Sequence, residues 1–472
     1  MTPGKTRGLP DLLKWRAPKA AIQFFFRRLR GSEYKHIVKT LNFTRVFLVT
    51  PAADLNKKNR CGLIVSCRTL WRNFTGKPSR FWKPQRLFLF SIITLAPHPM
   101  GITRRDWIKT ASLSSGMALI GGNTLLNPLK AAAAPTYTPR PIAGMIRLGS
   151  NENPYGPSPS MRAAMTTAFE EGCRYPWVAN ASLIKLIAEK EGVPEDHIVT
   201  VAGSTEGLKV AGITFGKGRE IISCSPTFLS MMEYASLWGT EINWVPLTKD
   251  LDYNLEEIEK RVSYETGLVF LCNPNNPTGK LLPAAQVLDF CETVSKRTVV
   301  FSDEAYSDYI TEPNYPSMVQ LVKKGLDVVV SRTLSKVYGL AGIRVGYLIA
   351  RPELAEKLRA RVVANTNILA IEAGKAALLD EDFYRFSLQK NNEAKAILTQ
   401  ALDELKLPYL PSHANFVFFQ SGRDIQQLNA EMAKKGIVVG RPFPPLNDWC
   451  RISTGTLEEM QLCVKALKEV LS

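Results

Sequence analysis

Short apolar runs rich in β-branched residues alternate with longer segments of helical spacing from Pro135 onward. Helical spacing is found, for example, over Leu255–Val262 and Ala284–Lys296. Because near-continuous apolar strands are buried on both faces, this order predicts an α/β fold with a doubly wound, mostly parallel sheet covered by helices. The predicted strands are His197–Ala202, Glu220–Cys224, Ile242–Pro246, Leu268–Cys272, Thr298–Ser302, Asp327–Ser331 and Val345–Ala350.

The pattern changes after about residue 352, where helical spacing dominates. Strands are predicted there near Phe416–Phe419 and Ile437–Val439. The change predicts a large domain over residues 166–352 and a smaller C-terminal α/β domain over residues 353–472. Residues 135–165 are assigned to the smaller domain as its N-terminal arm.

Charge is distributed unevenly along the 472 residues. The formal net charge of +17 lies within residues 1–99, which hold 20 Lys and Arg against 3 Asp and Glu, and the rest sums to zero. The body therefore gives no electrostatic reason to expect a nucleic-acid partner. Residues 1–99 show neither a helical nor a strand period. We interpret them as a basic extension, either non-native upstream sequence or disordered, with Met100 as the natural start. The alternative is a basic arm that binds nucleic acid or a membrane surface.

Residues 100–134 have the order of parts found in a twin-arginine signal peptide. Thr103–Lys109 contains the Arg104–Arg105 pair, the mildly apolar stretch Ala111–Leu126 follows, and Ala131–Ala134 is a run of small residues that a signal peptidase could cut. This order predicts a periplasmic or otherwise exported protein, or a cytoplasmic one if the signal is not functional. No run of 18 apolar residues exists, so no stable membrane span is expected after cleavage.

Cysteine and histidine usage excludes two classes of site. The eight cysteines form no CxxC pair, and only His197 and His413 lie beyond residue 99. A zinc centre and a histidine-based catalytic triad are therefore not expected.

Polar motifs follow four of the predicted strands. In sheets of this type the ligand site lies outside the carboxyl ends of the strands, so we expect the motifs to lie close together. Ala202–Gly207 opens a predicted helix, and the backbone N–H groups at a helix N-terminus can bind a phosphate. The motifs are Ala202–Gly207, Asn273–Gly279, Asp303–Tyr306 and Ser331–Lys336.

The order of these motifs resembles the pyridoxal-phosphate (PLP) dependent aminotransferases of fold type I (class I/II), and most closely the histidinol-phosphate aminotransferase-like group. The resemblance runs from about Arg147 to Thr456. It begins with Leu148–Gly156, which reads Leu-Gly-Ser-Asn-Glu-Asn-Pro-Tyr-Gly, and continues through Arg174-Tyr175-Pro176. Its most specific part is Ser335–Tyr347, which reads Ser-Lys-Val-Tyr-Gly-Leu-Ala-Gly-Ile-Arg-Val-Gly-Tyr.

The resemblance implies roles around the cofactor ring. Lys336 would form a Schiff base with the PLP aldehyde and later move the Cα proton of the substrate. Asp303 would hold the pyridine nitrogen protonated, which makes the ring a better electron sink. Asn276 and Tyr306 would hydrogen-bond the ring hydroxyl oxygen, and Phe228 would stack on the ring.

The resemblance also implies a phosphate site and a subunit arrangement. The cofactor phosphate would be held by Ser204, Thr205, Thr333, Ser335 and Arg344. Tyr175 would reach that phosphate from the partner subunit, so the resemblance implies a homodimer with shared active sites.

Substrate binding is assigned to four residues on the same basis. Asn151 and Tyr155 belong to the first motif of the resemblance, and Arg451 stands where the family binds a substrate carboxylate. Arg441 comes one residue later than the arginine that binds substrate phosphate in the family. The group that Arg441 contacts is therefore left open.

The function expected is transfer of an amino group between an amino acid, or a histidinol-phosphate-like amine, and a 2-oxo acid such as 2-oxoglutarate. The runner-up is a PLP-dependent decarboxylase on the same fold, which would share every cofactor residue. A basic non-enzymatic binding protein would leave the Lys336 motif unexplained. A cofactor-binding protein without turnover is disfavoured by the intact set of site residues.

Overall fold

The computed structural model describes residues 144–471. The predictions for residues 1–99 and 100–134 lie outside them. At the centre is a seven-stranded sheet. Its strands are β2 Ile198–Val201, β3 Glu220–Ser225, β4 Glu241–Pro246, β5 Thr266–Cys272, β6 Val299–Asp303, β7 Val328–Thr333 and β8 Gly346–Ala350. They lie in the order β2-β8-β7-β6-β5-β3-β4, in which β8 runs antiparallel to both neighbours and the other pairs are parallel. The predicted doubly wound, mostly parallel sheet is confirmed.

Helices cover both faces of this sheet. Every residue of β5 and β6 is buried, which explains why these strands are continuous apolar runs. Separate clusters of buried side chains fill the space between the sheet and the helices. The helices up to the last sheet strand and just beyond it are α1 Pro159–Ala168, α2 Trp177–Glu191, α3 Ser204–Gly216, α4 Ser230–Ser236, α5 Leu255–Arg261, α6 Ala284–Val294, α7 Val319–Lys323, α8 Pro352–Arg359 and α9 Ile368–Leu379.

The C-terminal part packs around a third cluster of buried side chains. It contains two short ladders, β9 (Phe416–Gln420) antiparallel to β11 (Trp449–Ser453), and β10 (Ile437–Val438) parallel to β1 (Ile146–Arg147). Leu148 belongs to this third cluster, so the first described residues pack with the C-terminal part. The domain boundaries stay predictions. The remaining helices are α10 Glu381–Glu404, α11 Ile425–Lys434 and α12 Leu457–Leu471.

Strand register places the ends of three central strands side by side. Cys272 at the end of β5 pairs with Asp303 at the end of β6, and Asp303 pairs with Ser331 of β7. Parallel strands end at the same edge of a sheet, so the residues that follow them are brought together. Within residues 144–471, no helix combines the length and apolarity needed to cross a lipid bilayer.

Candidate active site

A cavity of about 550 Å³ lies at the carboxyl edge of the sheet. It is also bordered by the segment around Asn151 and by residues of the C-terminal part. The strand-end motifs therefore meet, as their positions predict. The predicted site residues that line it are Asn151, Ser204, Thr205, Phe228, Asn276, Asp303, Tyr306, Thr333, Ser335, Lys336, Arg344, Arg441 and Arg451.

Lys336 projects into this cavity from the loop that follows β7. Its Nζ donates to the backbone oxygen of Asn151 at 3.1 Å and lies 5.6 Å from the centre of the Tyr306 ring. Burial of the amine, with the nearby positive charge of Arg451, lowers the pKa of Lys336 to about 8. A substantial fraction of this amine is therefore neutral in mildly alkaline solution, and a neutral amine can attack an aldehyde.

Asp303 is the last residue of β6 and is only 3% exposed. Its Oδ1 atom has no hydrogen-bond partner among the described residues. Burial raises the pKa of Asp303 to about 7, although the positive charge of Lys336 opposes the shift. A buried carboxylate oxygen without a donor is costly, so this atom fits a ligand that brings an N–H group into the cavity.

Buried polar side chains connect the floor of the cavity to the C-terminal part. The Tyr306 hydroxyl accepts hydrogen bonds from Asn151 Nδ2 at 2.8 Å and from Asn276 Nδ2 at 3.5 Å. Burial raises the pKa of Tyr306, so its hydroxyl stays protonated at neutral pH. Ser453 on β11 donates to Asn151 Oδ1 at 2.7 Å. These bonds tie a residue of the sheet edge to residues of two distant segments.

Arg451, on β11, is buried in the same network. Its Nη1 donates to Asn276 Oδ1 at 2.5 Å and its Nη2 to the backbone oxygen of Gly149 at 2.6 Å. Its Nε is buried without a partner among the described residues. Burial lowers the pKa of Arg451 to about 10, which still leaves the guanidinium charged at neutral pH. A charged guanidinium with a free donor suits an anionic substrate group.

The turn between β2 and α3 forms a cradle for a phosphate. Gly203 has φ +75°, and a Cβ atom there would lie 2.2 Å from Arg344 Nη2. Glycine at this position therefore allows the guanidinium of Arg344 to approach the backbone that opens α3. Arg344 is held by bonds from Nη1 to the oxygen of Ala341 at 2.7 Å and from Nη2 to the oxygen of Ala202 at 3.2 Å. A helix N-terminus beside an arginine is a suitable site for a phosphate group.

Arg441 lies at the mouth of the cavity and is exposed. Because β10 ends at Val438, Arg441 lies beyond the strand and no strand face dictates its direction. Its guanidinium is 4.4 Å from the centre of the Phe443 ring, and the guanidinium of Arg451 is 5.0 Å from the same ring. Two cationic groups therefore approach one aromatic ring beside the cavity.

Two predicted residues do not line the cavity. Tyr155 packs edge-on against Phe386, with ring centres 5.1 Å apart, and is not part of the cavity lining. Tyr175 is 76% exposed and stacks on Trp177 at 5.4 Å. Its assigned role involves the partner subunit and stays a prediction.

Eight residues of the lining were not predicted as site residues, and two of these, Cys272 and Glu152, carry titratable side chains. Cys272 pairs with Asp303 across β5 and β6. Its position in the cavity lining could be predicted only from the order and register of these strands, which the sequence does not give. Glu152 lies in the segment Leu148–Gly156 and forms an ion pair with Arg147 at 2.8 Å. No sequence pattern indicates this ion pair or the position of Glu152 near Lys336. These additions leave the chemistry of the site unchanged.

The residues present fit PLP. The cradle at α3 matches a phosphate, the unpartnered Asp303 oxygen matches a protonated ring nitrogen, and Lys336 matches an aldehyde. The fold and the site thus define an α/β enzyme of the pyridoxal-phosphate-dependent class.

Comparisons with known proteins define the family. The sequence profile of the aminotransferase class I and II family matches residues 143–467. The histidinol-phosphate aminotransferase of Moorella thermoacetica is 36% identical over 336 residues, which cover 70% of this chain and 86% of the relative. Histidinol-phosphate aminotransferase 2 of Ralstonia nicotianae is 37% identical over 359 residues, which cover 72% and 96%. The chain belongs to the aminotransferase class I and II family and is a PLP-dependent aminotransferase.

A solved structure supports the fold and the cofactor. The histidinol-phosphate aminotransferase of Sinorhizobium meliloti, in complex with pyridoxal-5'-phosphate, has 30% sequence identity and a TM-score of 0.64. The match covers 70% of this chain and 91% of that chain. The cofactor of this protein is PLP.

Proposed function

We propose that this aminotransferase moves an amino group between an amino acid, or an amine similar to histidinol phosphate, and a 2-oxo acid such as 2-oxoglutarate. The observation that carries the proposal is the meeting of Lys336, Asp303 and Arg451 in one cavity. The named relatives are histidinol-phosphate aminotransferases, which supports an amine of that type as one substrate.

Each of these three residues has a distinct task in the proposed reaction. Lys336 would hold PLP through its aldehyde, and its freed amine would accept the Cα proton of the substrate and deliver it to the former aldehyde carbon. Asp303 holds the proton on the ring nitrogen. PLP, when bound, supplies a conjugated ring that takes up the electrons released as the Cα–H bond breaks. Arg451 binds an anionic group of the substrate and orients it beside Lys336.

Arg441 gives the site a second positive charge at its mouth. A second anionic group, farther from the reacting carbon than the one held by Arg451, would lie at this exposed guanidinium, which shares the Phe443 ring with Arg451. Substrates with two anionic groups, such as a dicarboxylic amino acid, or with one phosphate, are therefore favoured over aliphatic amino acids.

We also propose that the protein acts as a homodimer with Tyr175 contributed to the partner's site. Three large apolar side chains near α2 support this: Phe169, Trp177 and Val178 are 66%, 67% and 86% exposed. Exposed apolar side chains that cluster along one segment are typical of an interaction surface. Export by the twin-arginine route remains part of the proposal, and its residues lie outside those described.

The test of the reaction uses the full chain purified with PLP. Amino donors are added one at a time while the cofactor absorption is recorded, with glutamate, aromatic and aliphatic amino acids and histidinol phosphate as the panel. We expect a donor with two anionic groups or a phosphate to convert the aldehyde form to the amine form, with release of the corresponding 2-oxo acid or ketone.

Lys336→Ala is the matched control, because it leaves the phosphate cradle intact. We expect this variant to lose the covalent adduct that borohydride traps on the wild-type chain, and to lose turnover. A wild-type protein that released carbon dioxide without forming the amine form would contradict the proposed reaction.

A further inference from the structure

A second cavity, of about 260 Å³, lies behind the strand ends that form the active site. Consecutive residues of a strand point to opposite faces. Asp303 and Thr333 accordingly line the active-site cavity, whereas their chain neighbours Glu304 and Arg332 line the second one. Each of these neighbours is therefore one peptide bond away from a proposed cofactor-binding residue.

Glu304 and Arg332 form an ion pair in this second cavity. Arg332 Nη2 and Glu304 Oε2 are 2.9 Å apart, and their side chains are 18% and 6% exposed. Glu304 also accepts from Ser317 Oγ at 2.8 Å and from the backbone N–H of Met318 at 2.8 Å. Arg332 Nη1 donates to Ser307 Oγ at 2.6 Å. The pair thus connects three separate backbone segments.

We propose that Glu304 and Arg332 are a positioning pair for PLP: together they hold the ends of β6 and β7 in the alignment that sets Asp303 and Tyr306 against Lys336. The backbone supports this assignment, because the N–H of Glu304 donates to the oxygen of Ser331 at 3.0 Å. The proposal rests on the cofactor roles proposed above.

A contribution to stability alone does not explain charges at this place. A buried ion pair rarely stabilises a fold more than apolar side chains of the same size. Earlier in the same strands, residues 299–301 and 328–330 are apolar and belong to the two sheet clusters. The negative charge of Glu304 also helps to raise the pKa of the adjacent Asp303, and the ion pair with Arg332 partly offsets that charge. The pair therefore serves both the position and the electrostatic surroundings of Asp303.

The test compares three variants of the full chain. Glu304→Gln removes the ion pair, and Ser307→Ala removes a single hydrogen bond to Arg332. Asp327→Asn is the matched control, since it breaks the ion pair with Arg351 (2.5 Å) at the opposite end of β7. The measurements are the PLP dissociation constant of the cofactor-free chain, the pH midpoint of the bound cofactor's absorption, and the melting temperature.

We expect Glu304→Gln to weaken PLP binding roughly tenfold, the scale on which outer hydrogen-bonding partners act on the ligand groups that they orient. We also expect it to shift the pH midpoint, with Ser307→Ala showing smaller changes in the same directions. Asp327→Asn should lower only the melting temperature.

Unchanged PLP affinity and an unchanged pH midpoint in Glu304→Gln would overturn the proposal, whatever its melting temperature. If Glu304→Gln does not fold, the same two measurements on Ser307→Ala decide. A wild-type chain without a Lys336-dependent absorption band would instead overturn the proposed function. The two failures are therefore distinguishable.

Discussion

Lys336 is the proposed nucleophile, and its protonation state depends on its surroundings. Burial lowers its pKa to about 8, and the charge of Arg451 contributes to the shift. We expect the rate at which the cofactor-free chain captures PLP to rise between about pH 6 and pH 9, with a midpoint near 8, because only the neutral amine attacks the aldehyde. Stopped-flow absorbance would measure this rate.

The charge of Arg451 can be tested in the same experiment. Arg451→Met should move the capture midpoint to higher pH, because a positive charge that disfavours the protonated lysine has been removed. Arg441→Met is the control, since Arg441 is exposed and is not among the main charges that shift the pKa of Lys336. A midpoint that stays in place in Arg451→Met would contradict this account of the lysine.

Arg451 is also expected to contribute more to substrate binding than Arg441. Arg451→Lys loses the paired donors that reach Asn276 and Gly149, so we expect kcat/KM to fall about hundredfold, the value of one or two charged hydrogen bonds. Arg441→Lys, at an exposed position, should cost about threefold. Steady-state kinetics with the best donor would measure both, and equal losses would contradict the assignment.

The turn from β2 into α3 is the element assigned to the cofactor phosphate. Gly203→Ala places a Cβ against Arg344, whereas Gly218 has the same φ of +75° and open space around it. Alanine at either position should cost roughly 1–3 kcal/mol of stability from backbone strain. Only Gly203→Ala should also weaken the binding of PLP, because only there is the arginine displaced.

Pyridoxal without the phosphate separates the two effects of Gly203→Ala. Its affinity should be similar in Gly203→Ala and Gly218→Ala, because neither change touches Lys336 or Asp303. Fluorescence titration of the cofactor-free chains would measure both ligands. An equal loss of PLP affinity in the two variants would show that backbone strain, and not the cradle, is responsible.

Strand positions could be predicted from sequence closely, because strands buried on both faces are continuous apolar runs. The predicted Leu268–Cys272 is observed as Thr266–Cys272, and Val345–Ala350 as Gly346–Ala350. The antiparallel direction of β8 could not be predicted, since direction depends on the path of the connecting chain. The strand predicted over Ile437–Val439 ends at Val438, because its partner β1 has only two residues and ends at Arg147, which pairs with Val438.

At the scale of the whole molecule, the site combines residues of short-range motifs with residues that only the tertiary fold brings near. Asp303 and Lys336 could be predicted because Asp303 ends β6 and Lys336 lies three residues beyond the end of β7. The bond between Asn151 and Tyr306, and that between Arg451 and Asn276, join positions more than 150 residues apart. No local pattern encodes such contacts. The resemblance to a known family identified these residues, and the geometry explains how they meet.

The proposed dimer makes a prediction about subunit sharing. If Tyr175 of one subunit serves the site that contains Lys336 of its partner, then chains carrying Lys336→Ala and chains carrying Tyr175→Ala complement each other when mixed. Each mixed dimer then has one intact site, because the unchanged lysine and the unchanged tyrosine lie on different chains. An equal mixture should regain about a quarter of the wild-type activity, since half of the dimers are mixed and each holds one site of two.

The exposed apolar side chains of Phe169, Trp177 and Val178 provide the control for this experiment. Trp177→Asp should separate the subunits and prevent complementation, because burial of this side chain (67% exposed in the single chain) would contribute to the interface. Tyr264→Asp changes an aromatic that is 85% exposed elsewhere and should leave the dimer intact. Light scattering after gel filtration would give the mass of each variant. If mixed chains form dimers without regaining activity, Tyr175 does not act across the interface, because two chains with separate defects can restore a site only when its residues are shared.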